Sequence, residues 1–221
     1  MVECVRREHG KNGVVEFLQQ FDLLGSNSIF AHSVHVSQDE IALLKQTGAS
    51  VSHNPVSNMM LGDGVAPVVE MLRQGVNVAL GTDGAASNHS QDLFDTMKAA
   101  SLLQKVHHQD AGVIDPYAVL RMATASGAKA LGLDSLSGTI EVGKRADLIL
   151  VDIDTVHNQP VNDIFSQIVH CAKAGDVKTV MVNGELLMRD RKLVQHDEAK
   201  LVADAKEANR DLMDRVNQLS F

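Results

Sequence analysis

The chain has 221 residues, of which 44% are hydrophobic and 22% are charged, a balance typical of a globular protein with a sizeable core. Its formal net charge of -8 argues against a nucleic-acid backbone or an anionic membrane surface as the main partner, because both demand clustered Lys and Arg. We therefore expect a small-molecule ligand, and no nucleic-acid or membrane partner.

The first half of the chain alternates helical and strand-like segments. Apolar residues at helical spacing predict a helix over residues 1 to about 26, which Gly25 ends. Three short apolar or β-leaning runs follow, and each ends in an ionisable side chain, first His32, then His53 and then Asp83. The last run ends abruptly in Gly-Thr-Asp-Gly, which delivers one carboxylate to the carboxyl end of a strand.

Helical segments separate these three runs. A helix-start signal at residues 37–40 opens the first of them, and Pro67 opens the second. The order strand, helix, strand, helix, strand, with strands too apolar to have a wet face, predicts an α/β fold of parallel strands covered by helices. This pattern alone does not distinguish a closed (β/α) barrel from an open doubly wound sheet.

The second half begins with helices and then changes character. Helices are predicted over residues 92–104 and 116–130. A buried-looking strand follows at residues 148–151, and the dipeptide Asn-Gly predicts a hairpin within residues 177–188. The chain finishes with an amphipathic helix that Asp197 opens.

Four motifs in a fixed order connect the chain to a known family. They are Ala-His-Ser-Val-His at residues 31–35, Ser-His-Asn-Pro-Val-Ser-Asn at residues 52–58, Gly-Thr-Asp-Gly-Ala-Ala-Ser-Asn at residues 81–88, and Gly-Thr-Ile-Glu-Val-Gly-Lys-Arg-Ala-Asp-Leu at residues 138–148. With these motifs the sequence resembles the amidohydrolase superfamily, in its chlorohydrolase and nucleoside-deaminase branch, up to about Val194. The resemblance implies part of a (β/α)8 barrel and part of a small β-sandwich subdomain.

The resemblance also implies roles for three side chains. By position, Asp83 corresponds to the family's metal ligand on the last strand, and His32 to the histidine that orients the hydrolytic water. His53 corresponds to a residue at the substrate. The implied cofactor is a divalent metal ion, and zinc is expected before iron. Such an ion would supply hydroxide at neutral pH. We therefore expect His32 and Asp83 to be catalytic, Asp83 to bind the metal and His53 to bind substrate.

Two family motifs are missing from the sequence. Neither the His-x-His pair nor the His-x-x-Glu that supplies a further ligand and a proton-shuttling glutamate is present, and both lie upstream in the family. The resemblance thus predicts that Met1 falls inside the parent barrel and that this is its C-terminal part. It assigns later barrel strands and helices to residues 1–135, a β subdomain segment with a helix to residues 136–195, and a C-terminal helix to residues 196–221. We expect this chain alone to hold the metal weakly or not at all, because a catalytic zinc needs three protein ligands.

The leading hypothesis is a metal-dependent hydrolase of non-peptide C–N bonds. Its reaction would be the deamination of a purine nucleoside, such as methylthioadenosine or S-adenosylhomocysteine, or of a related nitrogen heterocycle. The alternative is a catalytically inactive fragment that acts only in assembly with a complementary chain, through an exposed strand edge. An open α/β phosphate-binding enzyme is disfavoured, because the sequence lacks the Gly-rich fingerprint and the Walker spacing.

Simpler explanations exist for the same residues, and two further properties follow from the sequence. An Asp before Gly is common in turns, and His35 is predicted to be structural. The two cysteines have no C-x-x-C partner, which predicts free thiols in a reduced compartment. The sequence also has no apolar stretch of membrane-spanning length and no leader pattern, so we expect a cytoplasmic protein. An incomplete subdomain with an open edge predicts a homo-oligomer.

Overall fold

The computed structural model describes residues 2–11 and 13–218 in two compact units. The first unit contains the chain up to Arg145 together with Asp152–Asp176. The second contains Ala146–Val151 and the chain from Val177 onward. Helices and strands are mixed throughout, as the predicted α/β class requires.

Three short parallel strands form the sheet of the first unit. They are β1 (Ile29–Ala31), β2 (Ser50–His53) and β3 (Asn77–Leu80), and they lie in the order β1-β2-β3. All three strands that the sequence predicted before His32, at His53 and before Asp83 are confirmed. In the register, Ala31 pairs with Ser52 and His53 pairs with Leu80, so the carboxyl ends of the strands lie at one edge.

Ten helices belong to the described part of this unit. They are α1 (Val2–His9), α2 (Val14–Gln19), α3 (Gln38–Thr47), α4 (Pro55–Leu61), α5 (Val68–Gln74), α6 (Ala85–Asn88), α7 (Leu93–His108), α8 (Pro116–Met122), α9 (Ala125–Ala130) and α10 (Ile164–His170), with single 3-10 turns at Val156–Asn158 and Ala174–Asp176. One helix connects β1 to β2, and two connect β2 to β3. Parallel strands need such crossovers, because a tight turn cannot reverse the chain twice.

The core lies where these helices cover the sheet. Val51 of β2 and Val78 of β3 are fully buried, as are Ile41 and Leu44 of α3 and Met71 of α5. Full burial of a side chain of this size stabilises the fold by roughly 1.5–3 kcal/mol. The helices α5, α7, α8 and α9 pack against β3. Strand β3 is therefore covered by helices, and the central strand β2 is paired on both sides.

A buried carboxylate joins α2 to α3. The side chain of Ser37 accepts from Glu40 N (3.2 Å) and Glu40 accepts from Ser37 N (3.0 Å), so the predicted helix-start signal is confirmed as a capping box. Glu40 is only 2% exposed, and its Oε1 also accepts from Val15 N at 2.8 Å. A Cβ at Gly13 would collide with this carboxylate, so the close approach of α2 requires glycine there.

Two predicted helices are each broken in two. The helix predicted over residues 1–26 is α1 and α2, because Gly10 leaves the first helix at φ 64° and Gly13 is fully extended; residues 1 and 12 lie outside the described ranges. The helix predicted over residues 116–130 is α8 and α9. Thr124 breaks it with φ -129° and ψ -94°, where its hydroxyl donates to Leu120 O at 2.8 Å.

The second unit is an antiparallel sheet followed by a helix. Strands β4 (Leu148–Val151), β5 (Val177–Val182), β6 (Glu185–Arg189) and β7 (Lys192–Leu193) lie in chain order. The predicted Asn-Gly hairpin is confirmed, with both turn residues at positive φ, 50° and 83°. Helix α11 (Glu198–Gln218) begins after Asp197, whose Oδ1 accepts from Ala199 N, as predicted. Residues 219–221 of that predicted helix lie outside the described range.

The segment between β4 and β5 belongs to the first unit. Its helix α10 packs against α7 and α8, and His170 Nε2 lies 3.0 Å from Ser101 Oγ of α7. The domain boundaries predicted at residues 135 and 195 stay predictions. The structure adds that the chain leaves the second unit for Asp152–Asp176 before it returns. Among the helices described, none combines the length and the apolar character needed to cross a membrane.

We predict that Gly81→Ala destabilises the chain by about 1–3 kcal/mol, because the new methyl group would press on Asn54 Oδ1 and Ser52 Oγ, which are hydrogen-bonded to each other at 3.0 Å. The matched control is Gly84→Ala in the same motif, where nothing lies within 4 Å of the added methyl group. Denaturant unfolding of both variants measures the difference. Equal stabilities for the two would contradict the predicted collision.

Candidate functional site

The three predicted site residues come from three neighbouring strands. His32 follows β1 directly, His53 ends β2, and Asp83 lies three residues beyond β3. The strand pairing continues into these ends, since His32 N donates to Ser52 O at 2.9 Å and Gly81 N donates to His53 O at 3.0 Å. The carboxyl edge of the sheet thus carries all three residues, as expected for an α/β site.

His32 and Asp83 approach each other at this edge. His32 Nε2 lies 3.8 Å from Asp83 Oδ2, and the two side chains are 37% and 28% exposed. Both residues adopt positive φ, 65° and 61°, which costs a non-glycine residue about 1–2 kcal/mol. Such strain persists where the surrounding contacts over-determine the backbone, and it is concentrated at functional sites.

The Asp83 carboxylate is held by two donors. Ser57 Oγ donates to Oδ2 at 2.6 Å, and the backbone N–H of Gly84 donates to Oδ1 at 2.7 Å. The Ser57 hydrogen bond, followed by that of Gly84, holds the pKa of the Asp83 carboxyl below its ordinary value. Asp83 is therefore an anion at neutral pH and can accept a proton or bind a cation.

The site contains two further residues that the sequence did not identify individually as functional candidates. Ser57 and Asn58 lie in the first half of α4, directly after β2, and both are buried. Ser57 holds Asp83, and Asn58 Nδ2 lies 2.8 Å from His32 Nδ1. The available signal was their place in the motif at residues 52–58, where they follow His53 closely.

His53 makes no hydrogen bond to His32 or Asp83. Its side chain is 0% exposed, and within the described residues neither ring nitrogen has a hydrogen-bond partner. Burial, and to a smaller extent the charge of His32, lowers the pKa of His53 to about 4. The imidazole is consequently neutral at pH 7.

A cavity of about 380 Å³ opens beside His32. Its walls are mainly apolar, and they include Val14, Phe30 and Val36, with Asn58 and Asp63 as polar members. This volume is within the range of small-molecule sites, which combine apolar walls with a few polar groups. The cavity therefore offers room for a small organic ligand against one face of His32.

The donor set for a metal ion is incomplete. Among the residues described, no group of three His, Cys, Asp or Glu side chains could hold an ion. A catalytic zinc site normally uses three protein ligands and one open position. His32 and Asp83 alone do not fit a complete site, although the anionic Asp83 carboxylate is chemically suited to be one ligand.

Comparisons with known proteins give a consistent result over nearly the whole chain. Residues 1–187 match the amidohydrolase family. The chain is 45% identical over 214 residues to the 5'-deoxyadenosine deaminase of Methanosarcina barkeri, with 97% of this chain and 49% of that protein covered. It is 46% identical over 179 residues to the 5-methylthioadenosine/S-adenosylhomocysteine deaminase of Acetivibrio thermocellus, with 81% and 42% covered. The chain thus spans about half the length of the curated relatives it matches.

Solved structures agree in fold. A zinc-bound adenosine deaminase from Xanthomonas campestris superposes with a TM-score of 0.93 at 35% identity, over 99% of this chain and 48% of that one. The zinc complex of atrazine chlorohydrolase from Arthrobacter aurescens superposes with a TM-score of 0.88 at 25% identity, over 93% and 46%. Both structures hold zinc, which supports a divalent metal ion in proteins of this fold.

We predict that His53 makes the folded chain sensitive to acid. The unfolded chain takes up a proton near the ordinary pKa of 6.5, whereas folded His53 does so only at about 4. Between these values the unfolded state binds more protons, so the free energy of unfolding falls as the pH falls, by up to about 3 kcal/mol. Denaturant unfolding across this window, compared with His53→Leu, isolates the contribution. Parallel pH profiles for the two proteins would contradict the prediction.

Proposed function

The chain belongs to the amidohydrolase family, and on this premise we propose that it carries part of the active site of a metal-dependent deaminase. The substrate class that we propose is the purine nucleoside, with 5'-deoxyadenosine, methylthioadenosine and S-adenosylhomocysteine as the first candidates, because the named relatives at 40–46% identity are deaminases of these compounds. The observation that carries the proposal is the approach of His32 Nε2 to Asp83 Oδ2 at the carboxyl edge of the sheet.

The proposed reaction needs a positioned water and a proton carrier. Water attacks the ring carbon that bears the amino group, and ammonia leaves. His32 orients the attacking oxygen by a hydrogen bond, which stabilises charge that develops on it. Asp83, held as an anion by Ser57, accepts a proton from the water and passes it toward the departing amine.

We propose Asp83 as one ligand of a divalent metal ion, with zinc ahead of iron. When bound, such an ion lowers the pKa of a coordinated water. Since the described residues supply an incomplete donor set, none of the steps above is assigned to the ion. The family expectation that further ligands come from a His-x-His pair and another histidine stays a proposal for the whole protein.

His53 stays a proposed substrate residue. Its side chain is fully buried, so a substrate would contact it only after the residues that cover it have moved. A cytoplasmic location and a homo-oligomeric state likewise stay predictions. The alternative function, an inactive fragment that acts in assembly with a complementary chain, is favoured by one observation, the incomplete donor set.

We predict that the purified chain holds far less than one equivalent of zinc or iron. One carboxylate with a nearby histidine provides too few donors to replace the water shell of the ion. Elemental analysis after dialysis measures the metal content. A tightly held stoichiometric ion would contradict this prediction and would point to ligands that the proposal does not include.

We predict that deamination requires both this chain and a complementary half. The chain is mixed with zinc and with a polypeptide that covers the remaining half of the Methanosarcina barkeri relative, and ammonia release is measured from the three candidate nucleosides. Asp83→Ala should lower the rate by roughly 100-fold or more. The matched control is Asp95→Ala, an exposed position on α7 that should leave the rate unchanged. A stable complex that releases no ammonia would contradict the deaminase proposal and favour the assembly alternative.

A further inference from the structure

The amide of Asn58 contacts two side chains at once. Asn58 is 1% exposed on α4, and its Nδ2 lies 2.8 Å from His32 Nδ1 and 3.3 Å from Asp63 Oδ2. An amide nitrogen carries two hydrogens and no available lone pair, so both contacts are donations. His32 Nδ1 must then accept, which places the ring proton of the neutral imidazole on Nε2.

Asp63 fixes which way the amide of Asn58 points. If the amide were turned over, Asn58 Oδ1 would face the Asp63 carboxylate oxygen, and two acceptors would repel each other. The carboxylate is itself held near α4, because Asp63 N donates to Asn58 O at 2.9 Å. The exposed acid thus selects the amide orientation, and the amide selects the tautomer of the histidine.

The buried end of the same amide shows what this orientation costs. Asn58 Oδ1 is buried and, among the described groups, has no hydrogen-bond partner. An unsatisfied acceptor of this kind costs about 1–3 kcal/mol. The fold tolerates this unsatisfied oxygen while the amide nitrogen donates hydrogen bonds to His32 and Asp63. This indicates that these two hydrogen bonds are the contacts that the fold maintains.

We propose that Asn58 is a positioning residue that sets His32 as an Nε2–H donor, with Asp63 as its orienting partner. The donor nitrogen faces Asp83, 3.8 Å from Oδ2, at the edge where the water must be held. The opposite tautomer would direct the Nε2 lone pair at the anionic carboxylate. The catalytic meaning of the tautomer rests on the proposed function, but the tautomer itself is measured on the resting chain.

The test is the 15N NMR spectrum of histidine-labelled chain at a pH above the imidazole titration. His32→Gln assigns the signals. In the wild-type chain, His32 Nδ1 is expected in the acceptor range and Nε2 in the protonated range. In Asn58→Asp the new carboxylate accepts from the ring, so Nδ1 is expected to become protonated.

Two variants complete the test. Asn54→Asp is the matched control, because it adds the same charge immediately before α4 and keeps the acceptor that Ser52 Oγ uses, so His32 Nδ1 should stay an acceptor. Asp63→Asn changes an exposed side chain and should allow the Asn58 amide to turn, so that protonated Nδ1 appears in part. This second variant decides the matter if Asn58→Asp does not fold.

The proposal is overturned by a protonated Nδ1 in the wild-type chain. It is also overturned by an unchanged acceptor Nδ1 in folded Asn58→Asp or, where that variant fails to fold, in Asp63→Asn. None of these NMR measurements depends on enzymatic activity. A stable complex that releases no ammonia in the complementation assay would therefore overturn the proposed function and leave the tautomer result standing.

Discussion

The parallel pairing of β2 with both of its neighbours is the constraint on which the rest of this structure depends. Each side chain of the candidate site follows a different strand, so it is the register of these strands that brings His32 to within 3.8 Å of Asp83. In this register the fully buried Val51 lies opposite the fully buried Val78, and a shift by one residue would separate this pair. The apolar core and the polar edge are therefore set by the same pairing.

Helix α4 converts this edge into an organised site. It begins two residues after His53 and presents Ser57 to Asp83 and Asn58 to His32. The two acceptors of these contacts sit on backbone in the left-handed region, which is unfavourable for residues with a Cβ. Short hydrogen bonds from the buried side chains of Ser57 and Asn58 compensate for part of that cost, and they leave both acceptor side chains with little freedom to reorient.

The local features of the fold and the parallel strands that carry His32, His53 and Asp83 could be predicted from the sequence, whereas the side-chain contacts that organise the site could not. The capping box at Ser37 and Glu40 and the Asn-Gly hairpin are encoded within a few residues, so the patterns predicted them correctly. Nothing local to Ser57 and Asn58 shows that they reach residues 26 positions away. The breaks in the first helix and at Thr124 also escaped prediction, because helical spacing continues through both, whereas backbone geometry interrupts them.

Glu40 links the folding of the first unit to the shape of its cavity. Its carboxylate receives the backbone N–H groups of Val15 and Glu16, starts α3 through Ser37, and also lines the chamber beside His32 together with Val15. Part of the wall of the cavity is thus formed by Glu40, the side chain that holds α2 against α3. Replacing Glu40 would therefore change the lining of the cavity and the attachment of α2 together, whereas replacing a lining residue such as Val36 would leave the contacts of Glu40 with α2 in place.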